Sequence, residues 1–153
     1  MLALEREWLA TGLPVAALME TVGQRMADWF LARSELLASG VLVLVGPGHN
    51  GGDGLVVGRK LLEAGVDVRV WAPMPPRQPL TQQHWRHLLW LGADAVQSPP
   101  DPAERGLWIE ALFGLGQKRP LPSDLADLLQ SRQRDCPGRL VSLDLPAGLD
   151  SDT

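Results

Sequence analysis

Apolar and polar positions along the chain fall into two alternating rhythms. Leu2, Leu4, Trp8 and Leu9 form a loose amphipathic turn or two that ends at Gly12. Pro14 suits the first turn of a second helix, where its missing N–H is no loss, and Leu18, Val22, Met26 and Phe30 recur at i, i+4 spacing up to about Leu37. The rhythm then changes: Val41–Val45 is an unbroken apolar run, the pattern of a strand buried on both faces. From there short apolar runs alternate with helical stretches. Strands are expected at 66–71, 93–96, 107–113 and 140–145, and helices at 55–64, at 81–91 with Thr81 as cap, and at 123–130. Gly65 and Gly92 mark left-handed helix stops. Alternation of this kind implies right-handed crossovers and a mainly parallel sheet, preceded by two N-terminal helices.

In such a sheet, ligands lie outside the carboxyl ends of the strands, so the loops after each strand are the places to search. Three of them are unusual: GPGHNGGDG at 46–54, EALFGLGQKRP at 110–120 and SLDLPAGLDSDT at 142–153. Gly46, Gly48 and Gly51 satisfy G-x-G-x-x-G between a strand and a helix, where glycines give a tight turn and bare backbone amides to an anion. A dehydrogenase would also carry an acid at the end of its second strand, but that strand ends Val70-Trp71-Ala72. An NTPase loop would continue into Gly-Lys-Ser/Thr, which is absent. The bland alternative is a turn that is merely tight.

Composition changes the picture little. The 153 residues suit one domain, and 45% hydrophobic with 21% charged residues is ordinary for a globular protein. Net charge is −4 with 14 scattered Lys and Arg, which argues against nucleic-acid or anionic-membrane partners. Cys136 is the only cysteine, too few for a disulfide framework or a zinc site; a reducing compartment and a cytoplasmic location are expected. His84 and His87 sit at i, i+3 on an amphipathic helix with no third metal ligand nearby and are read as a solvated or partly packed face.

The residues carry their own chemistry. Asp144 follows the alternating Val141 and Leu143 at a strand end, beside Pro146 and Gly148, and is expected to face the glycine loop. A carboxylate there can exchange a proton with a substrate, or it can simply form an Asx-type turn. Asp53, read as two residues into a helix, is a capping group or a catalytic one, and His49 a ligand contact or an exposed loop residue.

The three loops resemble, in order and spacing, those of the YjeF N-terminal domain family, whose members include the NAD(P)H-hydrate epimerases. The segment LPVAALMETVGQRMADW at 13–29 is similar to the family's helix with a Leu-Met-Glu-x-x-Gly core, so the likeness covers nearly the whole chain. The resemblance implies a three-layer α/β/α Rossmann-like domain over residues 1–153, with an ending at Thr153 that is short by the family's pattern. It implies an isomerase that interconverts the R and S hydrates of NADH and NADPH (NADHX and NADPHX) for a separate or fused dehydratase, and a homodimer. Ligand contacts are implied for His49, Asn50, Gly51, Gly52 and Asp53, for Gly114, Leu115, Gly116, Gln117, Lys118, Arg119 and Pro120, and for Asp144, the expected catalytic residue. A potassium ion is implied at Asn50, Glu110 and Ala147. The family's usual Asn-Asn pair is His49-Asn50 here, its usual aspartate is Glu110, and its usual Ser or Thr is Ala147, which keeps only a backbone carbonyl as donor. The same fold without the catalytic aspartate resembles decapping-enhancer scaffolds, so a non-catalytic binding or dimerisation module is the alternative. Phosphates are expected near Gly48–Gly52 and Gly114–Gly116, and Gly52→Val is expected to abolish binding with the fold left largely intact.

Overall fold

Residues 2–114, 117–144 and 146 are described by the computed structural model, in which five parallel strands alternate with helices. The strands are β1 (Val41–Val45), β2 (Val68–Trp71), β3 (Asp94–Ala95), β4 (Leu107–Ala111) and β5 (Leu140–Ser142), and the sheet order is β3-β2-β1-β4-β5. Helices α1 (Leu2–Ala10), α2 (Val15–Leu31) and α3 (Ser34–Leu37) precede the sheet; α4 (His49–Glu63), α5 (Pro79–Trp90) and α6 (Ser123–Asp135) connect its strands. No helix among the described residues is long and apolar enough to cross a membrane.

Strand β1 explains the layers. All five of its residues are buried, and alternate side chains serve opposite cores. Val41, Val43 and Val45 join Phe30, Leu55, Val57, Leu61 and Leu88 from α2, α4 and α5. Leu42 and Leu44 join Trp108, Leu125 and Leu129, the last two from α6. The result is the expected three-layer α/β/α arrangement. The apolar run read as doubly buried is so because helices cover both faces.

Several boundaries differ from the sequence expectation, each for a local reason. The helix after β1 begins at His49 rather than Leu55, so Asn50 to Gly54 are helical and not a loop. Three glycines inside a helix cost roughly 1 kcal/mol each against alanine, yet contacts require them. A methyl on Gly54 would lie 2.5 Å from Ala111 Cβ, and one on Gly51 would enter the Gly46 carbonyl. The second helix stops at Leu31, and α3 is a separate turn. Gln78 is the cap position of α5, with Pro79 following; Thr81 lies inside the helix, buried, and its hydroxyl donates to Gly48 O at 2.8 Å. Strand β4 ends two residues early because the Leu112 N–H turns to Glu110 Oε1 at 2.8 Å. The strand at 66–71 begins at Val68, because the Val66 N–H still closes α4 on Leu61 O. Gly65 and Gly92 do adopt φ +91° and +109° as expected of left-handed stops.

Candidate active site

The order of the sheet reverses between β1 and β4: α4 follows β1 and lies with α5 on one face, whereas α6 follows β4 and lies on the other. The crevice outside the strand ends at such a reversal is where α/β sheets take ligands. Three chain segments meet there.

The first is the β1–α4 junction. Gly46 is buried and donates to Ala111 O at 3.0 Å; a side chain at this position would run into the carbonyl of Leu112. The two loops therefore touch backbone to backbone, and only glycine permits it. Gly48 caps α4 in extended conformation without any side-chain cap bond, and nothing lies within 4 Å of where its Cβ would be. The N-terminus of a fifteen-residue helix thus has its first amides uncapped by side chains. Pro47 O accepts from Arg77 N (2.9 Å) and Gln78 N (3.2 Å), which ties the β2–α5 connection to the loop.

The second segment follows β4. Glu110 is 1% exposed, pairs with Leu44 and Ser142 across the sheet, and holds the Leu112 amide with its carboxylate. Its own carbonyl accepts from Leu143 N at 2.8 Å. Gly114 sits against the third segment: a methyl on it would lie 2.8 Å from Asp144 Oδ2, 3.7 Å from Asn50 Cβ and 3.8 Å from Asn50 Cγ. Gln117 donates through its amide N to Gly114 O (3.1 Å) and through Nε2 to Arg119 O (3.3 Å), folding that loop on itself.

Asp144, the third contribution, is exposed and adopts φ +68°, the one non-glycine residue with positive φ among those described. Left-handed backbone costs a side-chain-bearing residue of order 1 kcal/mol or more, least for Asp and Asn. Here the turn lies two residues past the end of β5 and sets the carboxylate against Gly114. Asn50, in the first turn of α4, has its Nδ2 buried with no hydrogen-bond partner among the described residues.

Of the residues expected from sequence, Asn50, Gly114 and Asp144 converge, and Gly51 stands beside them in contact with Gly46. His49 is exposed at the start of α4, and Lys118, Arg119 and Pro120 are exposed in the loop after Gly114. Asp53 is the fifth residue of α4, deeper in the helix than the two residues the sequence reading gave it, and is engaged in an interaction of its own. Gly52 faces away from the crevice: its Cβ would meet Met19 Cε at 2.6 Å and Thr81 Oγ1 at 3.0 Å. Gly52→Val would therefore disturb the packing of α2 and α5 on α4, and does not serve as a clean test of binding. Leu115, Gly116 and Ala147 lie outside the described residues. Sequence reasoning gave Thr81 only a capping role and missed that it anchors the glycine loop; a buried threonine inside an amphipathic helix leaves no periodic signal. His84 is half-buried with Nε2 buried and unpartnered among the described residues, and burial lowers its pKa, with Glu20 opposing and Arg59 and His87 adding smaller lowering effects.

The sequence profile described as YjeF-related protein N-terminus matches residues 15–153. The chain is 40% identical over 154 residues to the bifunctional NAD(P)H-hydrate repair enzyme Nnr of Thermosynechococcus vestitus, covering 100% of this chain and 30% of that protein. It is 31% identical over 145 residues to the NAD(P)H-hydrate epimerase of Lentilactobacillus buchneri, covering 93% of this chain and 66% of the relative. The crystal structure of yeast YNL200c superposes with a TM-score of 0.77 at 27% identity, over 91% of this chain and 64% of that one. The chain thus spans about 30% of the length of the bifunctional relatives. With a match that reaches over nine-tenths of the sequence and a fold shared with a solved structure, the chain belongs to the family of YjeF-related protein N-termini.

Proposed function

We propose that this chain is an NAD(P)H-hydrate epimerase, interconverting the R and S forms of NADHX and NADPHX for a dehydratase that is fused or separate. The observation that carries the reading is the meeting of Asn50, Gly114 and Asp144 at the sheet reversal, with Asp144 held in a left-handed turn. Relatives named NAD(P)H-hydrate epimerase and bifunctional NAD(P)H-hydrate repair enzyme support it.

Inverting C6 of the hydrate requires its hydroxyl-bearing carbon to become planar. By the ring-opening route the hydroxyl proton leaves oxygen, the C6–N1 bond breaks with its electron pair on N1, and N1 takes up a proton. Closure on the other face of the carbonyl reverses these steps. A carboxylate that accepts the first proton and returns it at nitrogen accounts for the exchange, a contribution of roughly 10²–10⁴-fold. Asp144 is assigned that role, and its exposure leaves it open to a substrate in the crevice. Uncapped amides at Gly48 to Gly51, where the helix dipole is positive, suit the pyrophosphate. His49 and the Gly114–Pro120 loop are assigned to flanking contacts.

A potassium ion is assigned to Asn50, Glu110 and the Ala147 carbonyl. Fit is supported by chemistry: hard cations take oxygen ligands, Glu110 presents a carboxylate that is 1% exposed, and the buried amide of Asn50, turned over, offers Oδ1 in place of an orphaned Nδ2. When bound, the ion would neutralise the Glu110 charge beneath the crevice.

The test is the rate at which the purified chain makes R-hydrate available to an S-specific dehydratase, above the spontaneous background. Acceleration is the expected result. A folded chain that binds the hydrate without accelerating its epimerisation would establish the binding-module reading in its place.

A further inference from the structure

A second cavity, of about 570 Å³, opens on the α6 side of the sheet, at the carboxyl ends of β2 and β3. Its apolar wall includes Trp71, Met74, Leu125 and Leu128; Asp124 and Asp127 stand on the α6 side. Among the described residues, none of the side chains lining it is basic. Trp71 is in register with Leu44 of β1, so this cavity lies beside the strand that leads into the glycine loop.

With strands ~4.8 Å apart, the distance from β5, which ends two residues before Asp144, to β2 is three spacings, or ~14 Å. A dinucleotide whose nicotinamide end lies at Asp144 and whose pyrophosphate lies on the N-terminus of α4 directs its other end over β2. In sheets of this order, the nucleoside beyond the pyrophosphate lies against the loops that follow β2 and β3, and a carboxylate binds its ribose hydroxyls. The acid sought at the end of β2 is absent there; Asp124 and Asp127 of α6 approach the same space from the opposite wall.

We infer that this cavity is the adenosine subsite of the substrate, and that Asp127, with Asp124, selects the hydrate without a 2′-phosphate over the one that has it. The inference rests on the epimerase reading. The adenine packs on Trp71, Met74 and Leu128, and the 2′- and 3′-hydroxyls donate to the carboxylates. A 2′-phosphate would bring about two negative charges against two acidic side chains with no cation among the described residues of the wall. The two acids differ in their duties. Asp124 also accepts from the Leu125 amide in the first turn of α6, whereas Asp127 is exposed on the second, so Asp127 is the position to vary.

The experiment has two arms on the whole chain. In the first, kcat/KM is measured with NADHX and NADPHX on the parent and on Asp127→Arg. The parent should favour NADHX by about tenfold or more, the factor that a like-charge contact near a protein surface commands, and Asp127→Arg should narrow or reverse the ratio. In the second, 5′-AMP and adenosine 2′,5′-bisphosphate are titrated against tryptophan fluorescence, with Trp71→Phe identifying the reporter. Preference for 5′-AMP, lost in Asp127→Arg, supports the subsite even if no epimerisation is found, in which case the reaction is what fails. Equal kcat/KM for the two hydrates in an active parent, or a preference untouched by Asp127→Arg, overturns the inference and leaves the epimerase reading standing.

Discussion

Replacing Gly114 by alanine puts a methyl group 2.8 Å from Asp144 Oδ2. Ordinary contact begins at 3.4 Å, so the carboxylate must yield by about 0.6 Å; Asn50, at 3.7 and 3.8 Å, need not move. The fold should tolerate this. Displacing the far end of one exposed side chain from its rotamer costs roughly 0.5–1.5 kcal/mol, and alanine in a backbone without positive φ restores about 0.4–1 kcal/mol through the unfolded state. Net stability should change by less than about 1 kcal/mol. Proton transfer, by contrast, is sensitive to placement, since a 1 Å error costs ~100-fold. A loss of ~10–100-fold in epimerisation is expected, equivalent to ~1.4–2.7 kcal/mol in the barrier. The assay pairs the dehydratase-coupled rate with urea unfolding. Gly46→Ala is the contrast: its methyl would enter the Leu112 carbonyl, backbone against backbone, and should cost about 3 kcal/mol of stability. A Gly114→Ala protein with the parent's rate and stability would refute the placement of Asp144 against Gly114.

Two further outcomes test the scaffold. Arg132 is 0% exposed, lies over the Trp108 ring, and donates to the carbonyls of Pro102, Glu104, Gly106 and Arg139. Arg132→Met removes the guanidinium from four carbonyls, of which Arg139 O keeps the Trp108 N–H and Glu104 O only the weak Cys136 thiol, and should cost about 3 kcal/mol in urea unfolding; an unchanged midpoint would contradict it. Because His84 has its pKa lowered from 6.5 mainly by burial, the unfolded chain takes up its proton first. Stability should therefore be full above about pH 6.5 and fall as the pH drops towards the folded value, and His84→Gln should flatten that part of the profile. An identical slope in the variant would remove His84 as the cause.

Strand β1 was legible to the residue because burial on both faces forces an unbroken apolar run. The start of α4 was not, since glycine ordinarily argues against helix. What overrides the propensity is tertiary: Gly51 fits under Gly46, Gly54 against Ala111, and Gly23 of α2 lets that helix approach Val56 of α4. The earlier start of α4 also puts Gly52 against Met19 and Thr81 rather than on the ligand side, and Asp53 deeper in the helix. The three loops were recognisable as one crevice from the alternation of strands and helices. The left-handed turn at Asp144 was not, because aspartate there has no periodic signature, and only the fold sets it 2.8 Å from the position of a Gly114 methyl. Thr81 escaped for a related reason: its partner, Gly48 O, lies 33 residues away.

The most direct test of the account is Asp144→Asn, measured for both binding and turnover. Asparagine is nearly isosteric and, like aspartate, tolerates the left-handed backbone, so the turn and the contacts to Gly114 survive. It cannot carry the proton from the C6 hydroxyl to N1. The account predicts hydrate affinity within a few-fold of the parent and a rate lower by ~10²–10⁴-fold, or ~3–5 kcal/mol in the barrier. A variant that epimerises as fast as the parent would contradict the central claim that Asp144 moves the proton.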